Sequence, residues 1–100
     1  MHFVYILYSK SADKYYIGET ENLATRLHQH NIGYFKGSFT SLARDWEIYF
    51  KIECQDIQIA RKIERHIKKM KSRKYLENLV KYNSITEKLI EKYTLNNKLI

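Results

Sequence analysis

Between Trp46 and Met70 the apolar residues change their period, and that change narrows the folds open to the chain. Trp46, Ile48, Phe50 and Ile52 alternate with Glu47, Tyr49, Lys51 and Glu53, the two-residue period of a strand with one buried face. A few residues later Ile59 or Ala60, Ile63, Ile67 and Met70 recur at helical spacing, which puts the basic side chains between them on the opposite face. A strand feeding an amphipathic helix must bury its apolar face against some helix, so sheet and helix are expected to form layers.

The remaining segments fit that scheme. Phe3 to Tyr8 is an unbroken apolar and aromatic run, separated by Ser9 to Lys14 from Tyr15-Tyr16-Ile17-Gly18, which reads as a hairpin. Thr20 or Asn22 can cap a helix starting near Leu23, with Leu23, Ala24 and Leu27 on its buried side. It is expected to end near His30, before Asn31-Ile32-Gly33. Residues 33–44 read as a loop with aromatic interruptions. Ser72 can cap a helix that buries Leu76, Leu79 and Val80, and Ser84-x-x-Glu87 has capping-box spacing ahead of Leu89, Ile90 and Tyr93. Residues 94–100 are expected to fray. The expected fold is α/β of the α+β type, a three-stranded antiparallel sheet flanked by helices. One domain spans 1–83, and 84–100 form a C-terminal helix and tail packed on it or extending it.

Charge is concentrated. Arg61, Lys62, Arg65, Lys68, Lys69, Lys71, Arg73, Lys74 and Lys81 face only Glu64 and Glu77, so residues 61–81 carry a net +7, the formal charge of the whole chain. Such a stretch attracts polyanions or, failing that, serves as a solvated helix face. No apolar run approaches the roughly 18 residues of a membrane span, and because Met1 to Tyr5 lead straight into a strand-like stretch, secretion is not expected. A lone cysteine, Cys54, excludes an internal disulfide and a Cys-based zinc site, and a reducing cytoplasm is the expected setting.

Several residues could act on a phosphodiester. Arg26 and His30 are four apart on a helix face away from Leu23 and Leu27, placed to meet one phosphate; each also has an ordinary use, as a surface cation and as a C-terminal partner of the helix dipole. Tyr5 and Tyr16 stand on adjacent strands, where aromatics are also common packing residues. Glu64, the isolated acid of a basic helix, could hold a hydrated Mg²⁺ against phosphate or pair with Lys68 at i+4.

The combination resembles the GIY-YIG nuclease domain, particularly its small members. The matching pieces are Phe3-Val4-Tyr5, overlapping the Val-Tyr-Ile-Leu run from Val4 to Leu7, Tyr16-Ile17-Gly18 with the following Glu19 to Leu23, Arg26-Leu27-x-x-His30, Trp46 to Phe50 as a third strand, and Ala60-x-x-x-Glu64-x-x-Ile67-Lys68-Lys69 followed by Ser72-Arg73. They span about residues 3–83. Phe3 and Val4 stand where the family has glycine and isoleucine, a departure that spares the one residue of that motif carrying chemistry, the tyrosine. The resemblance implies a metal-dependent endonuclease on DNA, in repair or recombination. Tyr5 and Tyr16 would activate or position water, one of them as a phenolate-like base. Arg26 would hold the phosphate, His30 would assist proton transfer or orient a tyrosine, and Glu64 would bind one divalent ion, Mg²⁺ or Mn²⁺. Asn78 or Asn83 would be the family's late asparagine. Lys36, Arg61, Arg65, Lys68, Lys69, Lys71 and Arg73 are the expected DNA contacts. The alternative is a non-catalytic nucleic-acid-binding module on the same scaffold; a membrane-docking role would need apolar residues that the core already uses.

Overall fold

Phe3 to Tyr8 forms the middle of the sheet, which explains why the run has no polar alternation. Strand β1 (His2–Ser9) pairs antiparallel with β2 (Lys14–Thr20) on one side and with β3 (Trp46–Cys54) on the other. With both faces covered, Val4, Tyr5, Ile6 and Leu7 are each at most 1% exposed. The structure, a computed structural model, describes the backbone of residues 1–98 and the side-chain surroundings of residues 1–95. Among the described residues, the helices are α1 (Leu23–Asn31), a short 3-10 helix (Phe39–Leu42), α2 (Ile57–Met70), α3 (Arg73–Lys81) and α4 (Asn83–Lys98).

The sheet separates two apolar layers. On one face Val4, Ile6, Ile52 and Cys54 meet Ile59, Ala60, Ile63 and Ile67 of α2, Leu76 and Leu79 of α3, and Leu89 of α4. Each fully buried isoleucine there contributes roughly 1.5–3 kcal/mol relative to exposure. On the other face Tyr5, Leu7, Ala43 and Trp46 pack with Tyr16, Leu23 and Leu27 beneath α1. The two tyrosines of interest therefore lie on the α1 side of the sheet.

The expected single face of β3 is divided by a bulge. Ile6 pairs with Phe50, but the next residue, Leu7, pairs with Ile48, leaving Tyr49 as the extra residue. One inserted residue reverses the facing of everything beyond it. Trp46 consequently joins the α1 layer, Ile52 joins the α2 layer, and Ile48 is exposed.

Other boundaries shift in ways local geometry explains. Asn22, not Thr20, caps α1, accepting from Thr25 N at 3.1 Å. Ala24 is exposed because only the Leu23–Leu27 stripe turns to the sheet. Val80 and Met70 are also exposed: α3 packs through Leu76 and Leu79, and Met70 is the last residue of α2. Residues 33–44 contain the 3-10 helix. Helix α4 starts at Asn83, whose amide, rather than Ser84, bonds Glu87 at 2.9 Å. It continues through Lys98, so residues 94–98 are helical where fraying is expected, and residues 99–100 lie outside the described residues.

Candidate active site

Strand register sets the first part of the site. Tyr5 pairs with Gly18, and Tyr16 pairs with Leu7; positions two apart share a face, so the tyrosines are diagonal neighbours with ring centroids 6.2 Å apart. The Tyr5 phenol lies across Gly18, where a Cβ would sit 2.6 Å from the phenolic oxygen. Glycine is needed here for space.

Helix α1 brings the next two groups. Arg26 and His30 lie one turn apart, and Asn31 ties the helix end to β3 by donating to the Trp46 carbonyl at 2.9 Å and accepting from Trp46 N at 2.8 Å. His30 is 3% exposed. Its Nε2 lies 3.0 Å from Tyr5 Oη and its Nδ1 2.7 Å from Thr40 Oγ1. Its ring is 5.0 Å from that of Tyr16 and 4.9 Å from that of Phe35. The Arg26 guanidinium lies over Phe35, 5.4 Å from the ring centre.

Electrostatics follow from this crowding. Burial, reinforced by the Arg26 charge, pushes the His30 pKa down to about 4, so the imidazole is neutral at physiological pH. Burial raises Tyr5 well above the ordinary phenol value, with Tyr16 adding to the rise, Arg26 opposing it and Glu64 adding a smaller push upward. Tyr5 is accordingly a protonated phenol. Tyr16 is half-buried and Arg26 likewise, whereas Tyr5 and His30 sit behind them.

Glu64 belongs to α2, yet its charge reaches Tyr5. It shares a flank of α2 with Arg61, which lies 3.6 Å from Glu19 of β2, and with Lys68, whose Nζ is 3.1 Å from Glu64 Oε2. The ion pair that the i,i+4 spacing allows is therefore formed. Among the described residues no three His, Cys, Asp or Glu side chains converge. A single partly exposed carboxylate fits a hard cation that keeps much of its water and takes other ligands from phosphate, and does not fit a closed protein cage.

The basic residues do not form one continuous face. Lys68, Lys71 and Arg73 line a cleft of about 290 Å³ with Lys14, between β2, α2 and α3. Arg65 and Lys69 line another, of about 350 Å³, with Lys62, Lys92 and the hydrogen-bonded pair His66–Tyr93, between α2 and α4. Arg73 also pairs with Asp13 at 2.9 Å, and Lys36 is exposed in the loop after α1. The Asn83 side chain is engaged by Glu87, and Asn78 is half-buried on α3.

Local sequence pattern does not single out Phe35, Ser38 or Thr40, and Asn31 reads from it only as part of a helix stop. Phe35 is visible as an aromatic in a polar loop. Ser38 and Thr40 carry no signal, because their partners are distant in sequence or lie in an irregular segment.

The family described as the GIY-YIG catalytic domain matches this chain over residues 1–83. No curated protein and no solved structure matches it.

Proposed function

The chain belongs to the GIY-YIG nuclease family, and from that we propose that it is a metal-dependent endonuclease that hydrolyses DNA phosphodiester bonds. The observation that carries the proposal is the meeting of Tyr5, Tyr16, Arg26 and His30, from two strands and a helix, with the Glu64 charge from a second helix. Packing alone does not require a guanidinium and a carboxylate around two phenols.

Each residue has a distinct task in this reading. Arg26 grips the scissile phosphate and offsets the charge that grows on it. Tyr16, the phenol with the more open side chain, would act as the phenolate-like oxygen that contacts the attacking water and takes its proton; Tyr5, held protonated by burial, hydrogen-bonds His30 and faces the Arg26 charge. Glu64 would hold Mg²⁺ or Mn²⁺, which when bound would supply Lewis-acid stabilisation of the phosphate. Lys68, Lys71 and Arg73, on the Glu64 side, bind flanking phosphates, with Lys36 and Arg61 at the margins and Arg65 and Lys69 extending the interface to the second cleft.

No helix among the described residues is long and apolar enough to cross a membrane. The proposed setting is a reducing cytoplasm and the proposed role repair or recombination, where nicked, flapped and branched DNA arise. Cys54 suits that setting as a core thiol, its pKa pushed up to about 11 by burial. The test is incubation with labelled single-stranded, nicked, flapped and branched DNAs, with and without Mg²⁺ or Mn²⁺. Cation-dependent cleavage of at least one is expected. Tight binding with no cleavage of any would replace the endonuclease with a binding module.

A further inference from the structure

The hydrogen bonds behind His30 run in one direction. Ser38 Oγ lies 2.6 Å from the Phe35 carbonyl oxygen, which can only accept, so the Ser38 proton is committed there. Thr40 Oγ1 lies 3.2 Å from Ser38 Oγ; with the Ser38 proton spent, Thr40 donates between these two hydroxyls. Thr40 then offers only lone pairs to His30 Nδ1 at 2.7 Å, so Nδ1 carries the imidazole proton. The ring being neutral, Nε2 is left with a lone pair and accepts from Tyr5 Oη at 3.0 Å.

The other end of the chain agrees. With its one proton directed inward to His30, the Tyr5 oxygen presents lone pairs toward Arg26, a group that can only donate and whose charge acts on the Tyr5 phenol. The opposite imidazole tautomer would turn the Tyr5 hydroxyl outward and set donor against donor. Thr40 is itself well fixed: it is 1% exposed, and its carbonyl accepts from the Trp46 indole at 2.9 Å.

We propose that Thr40 and Ser38 are positioning residues for the phosphodiester reaction, fixing His30 with its proton on Nδ1 and so making Tyr5 an acceptor toward Arg26. The catalytic consequence rests on the nuclease reading; the direction of the chain does not.

The experiment reads the tautomer without DNA or metal. In protein labelled with ¹⁵N-histidine, long-range ¹H–¹⁵N correlations distinguish protonated from unprotonated ring nitrogens, and His30→Gln assigns the signal. Wild-type His30 is expected to carry its proton on Nδ1. Thr40→Val, nearly isosteric, removes the acceptor and is expected to give mixed tautomers and a kcat roughly 10-fold to 100-fold lower, as for groups that orient the imidazoles of metal ligands, with little change in KM. Thr40→Ser is expected to restore both. If Thr40→Val does not fold, Ser38→Ala, at an exposed position, is the substitute, and mixed tautomers are again expected. A wild-type His30 protonated on Nε2 overturns the proposal, as does a single retained Nδ1–H tautomer in the folded variant. A correct tautomer in a wild type that cleaves none of the DNAs supports the relay and refutes the nuclease reading.

Discussion

Acidification is expected to destabilise this protein through His30 before its carboxylates titrate. The imidazole is 3% exposed, and burial beside Arg26 pushes its pKa down to about 4, against about 6.5 in an unfolded chain. Between those values the unfolded chain takes up a proton that the folded one does not. The stability present above about pH 6.5 is therefore lost progressively as pH falls toward 4. At about 1.4 kcal/mol per pH unit, moving from pH 7 to pH 5 costs about 2 kcal/mol, which for a domain of this size lowers Tm by roughly 8–16 °C. His66, shifted down by burial and by Lys92 and Lys69, acts with the same sign. Asp13 and Asp45 are held low mainly by hydrogen bonds from Tyr8 and Ser9, so their contributions fade only in more acidic solution. Urea unfolding at pH 7, 6 and 5 of the wild type and His30→Gln isolates the His30 contribution, since the amide does not titrate and His66 is common to both. The variant is expected to lose about 2 kcal/mol less over this range. Identical pH dependence in the two proteins would refute the buried, neutral His30.

Glu64→Gln preserves size while removing the charge a divalent cation needs; cleavage is expected to vanish while DNA binding persists or tightens, and normal cleavage would return Glu64 to its Lys68 pair. Gly18→Ala puts a methyl group 2.6 Å from Tyr5 Oη and is expected to cost about 1–3 kcal/mol in thermal melting, the usual penalty of overpacking. Unchanged melting and cleavage would show the Tyr5 phenol free to move. Charge reversal at Lys68, Lys69 and Lys71 is expected to weaken DNA binding and to flatten its logarithmic salt dependence by about 0.9 for each phosphate no longer neutralised. An unaltered affinity in a folded variant would move the DNA elsewhere on the surface.

Much of the molecule is legible from local pattern. The periods of Trp46–Glu53 and Ile59–Ile67, the hairpin and the Ser72 and Asn22 caps all reflect interactions within a few residues, which sequence spacing reports directly. The proximity of Tyr5, Tyr16, Arg26 and His30 follows from the family motifs rather than from periodicity. The bulge at Tyr49 is not legible, because a single inserted residue leaves the alternation in the sequence intact while reversing which side each residue faces. The division of the basic residues into two clefts likewise depends on where β2, α3 and α4 pack around α2. The chain from Ser38 through Thr40 and His30 to Tyr5 is decided by tertiary structure alone. The links from Thr40 to His30 and from His30 to Tyr5 each require two polar atoms to approach to about 3 Å in a buried space, and those distances are set by packing across the fold, not by spacing along the sequence.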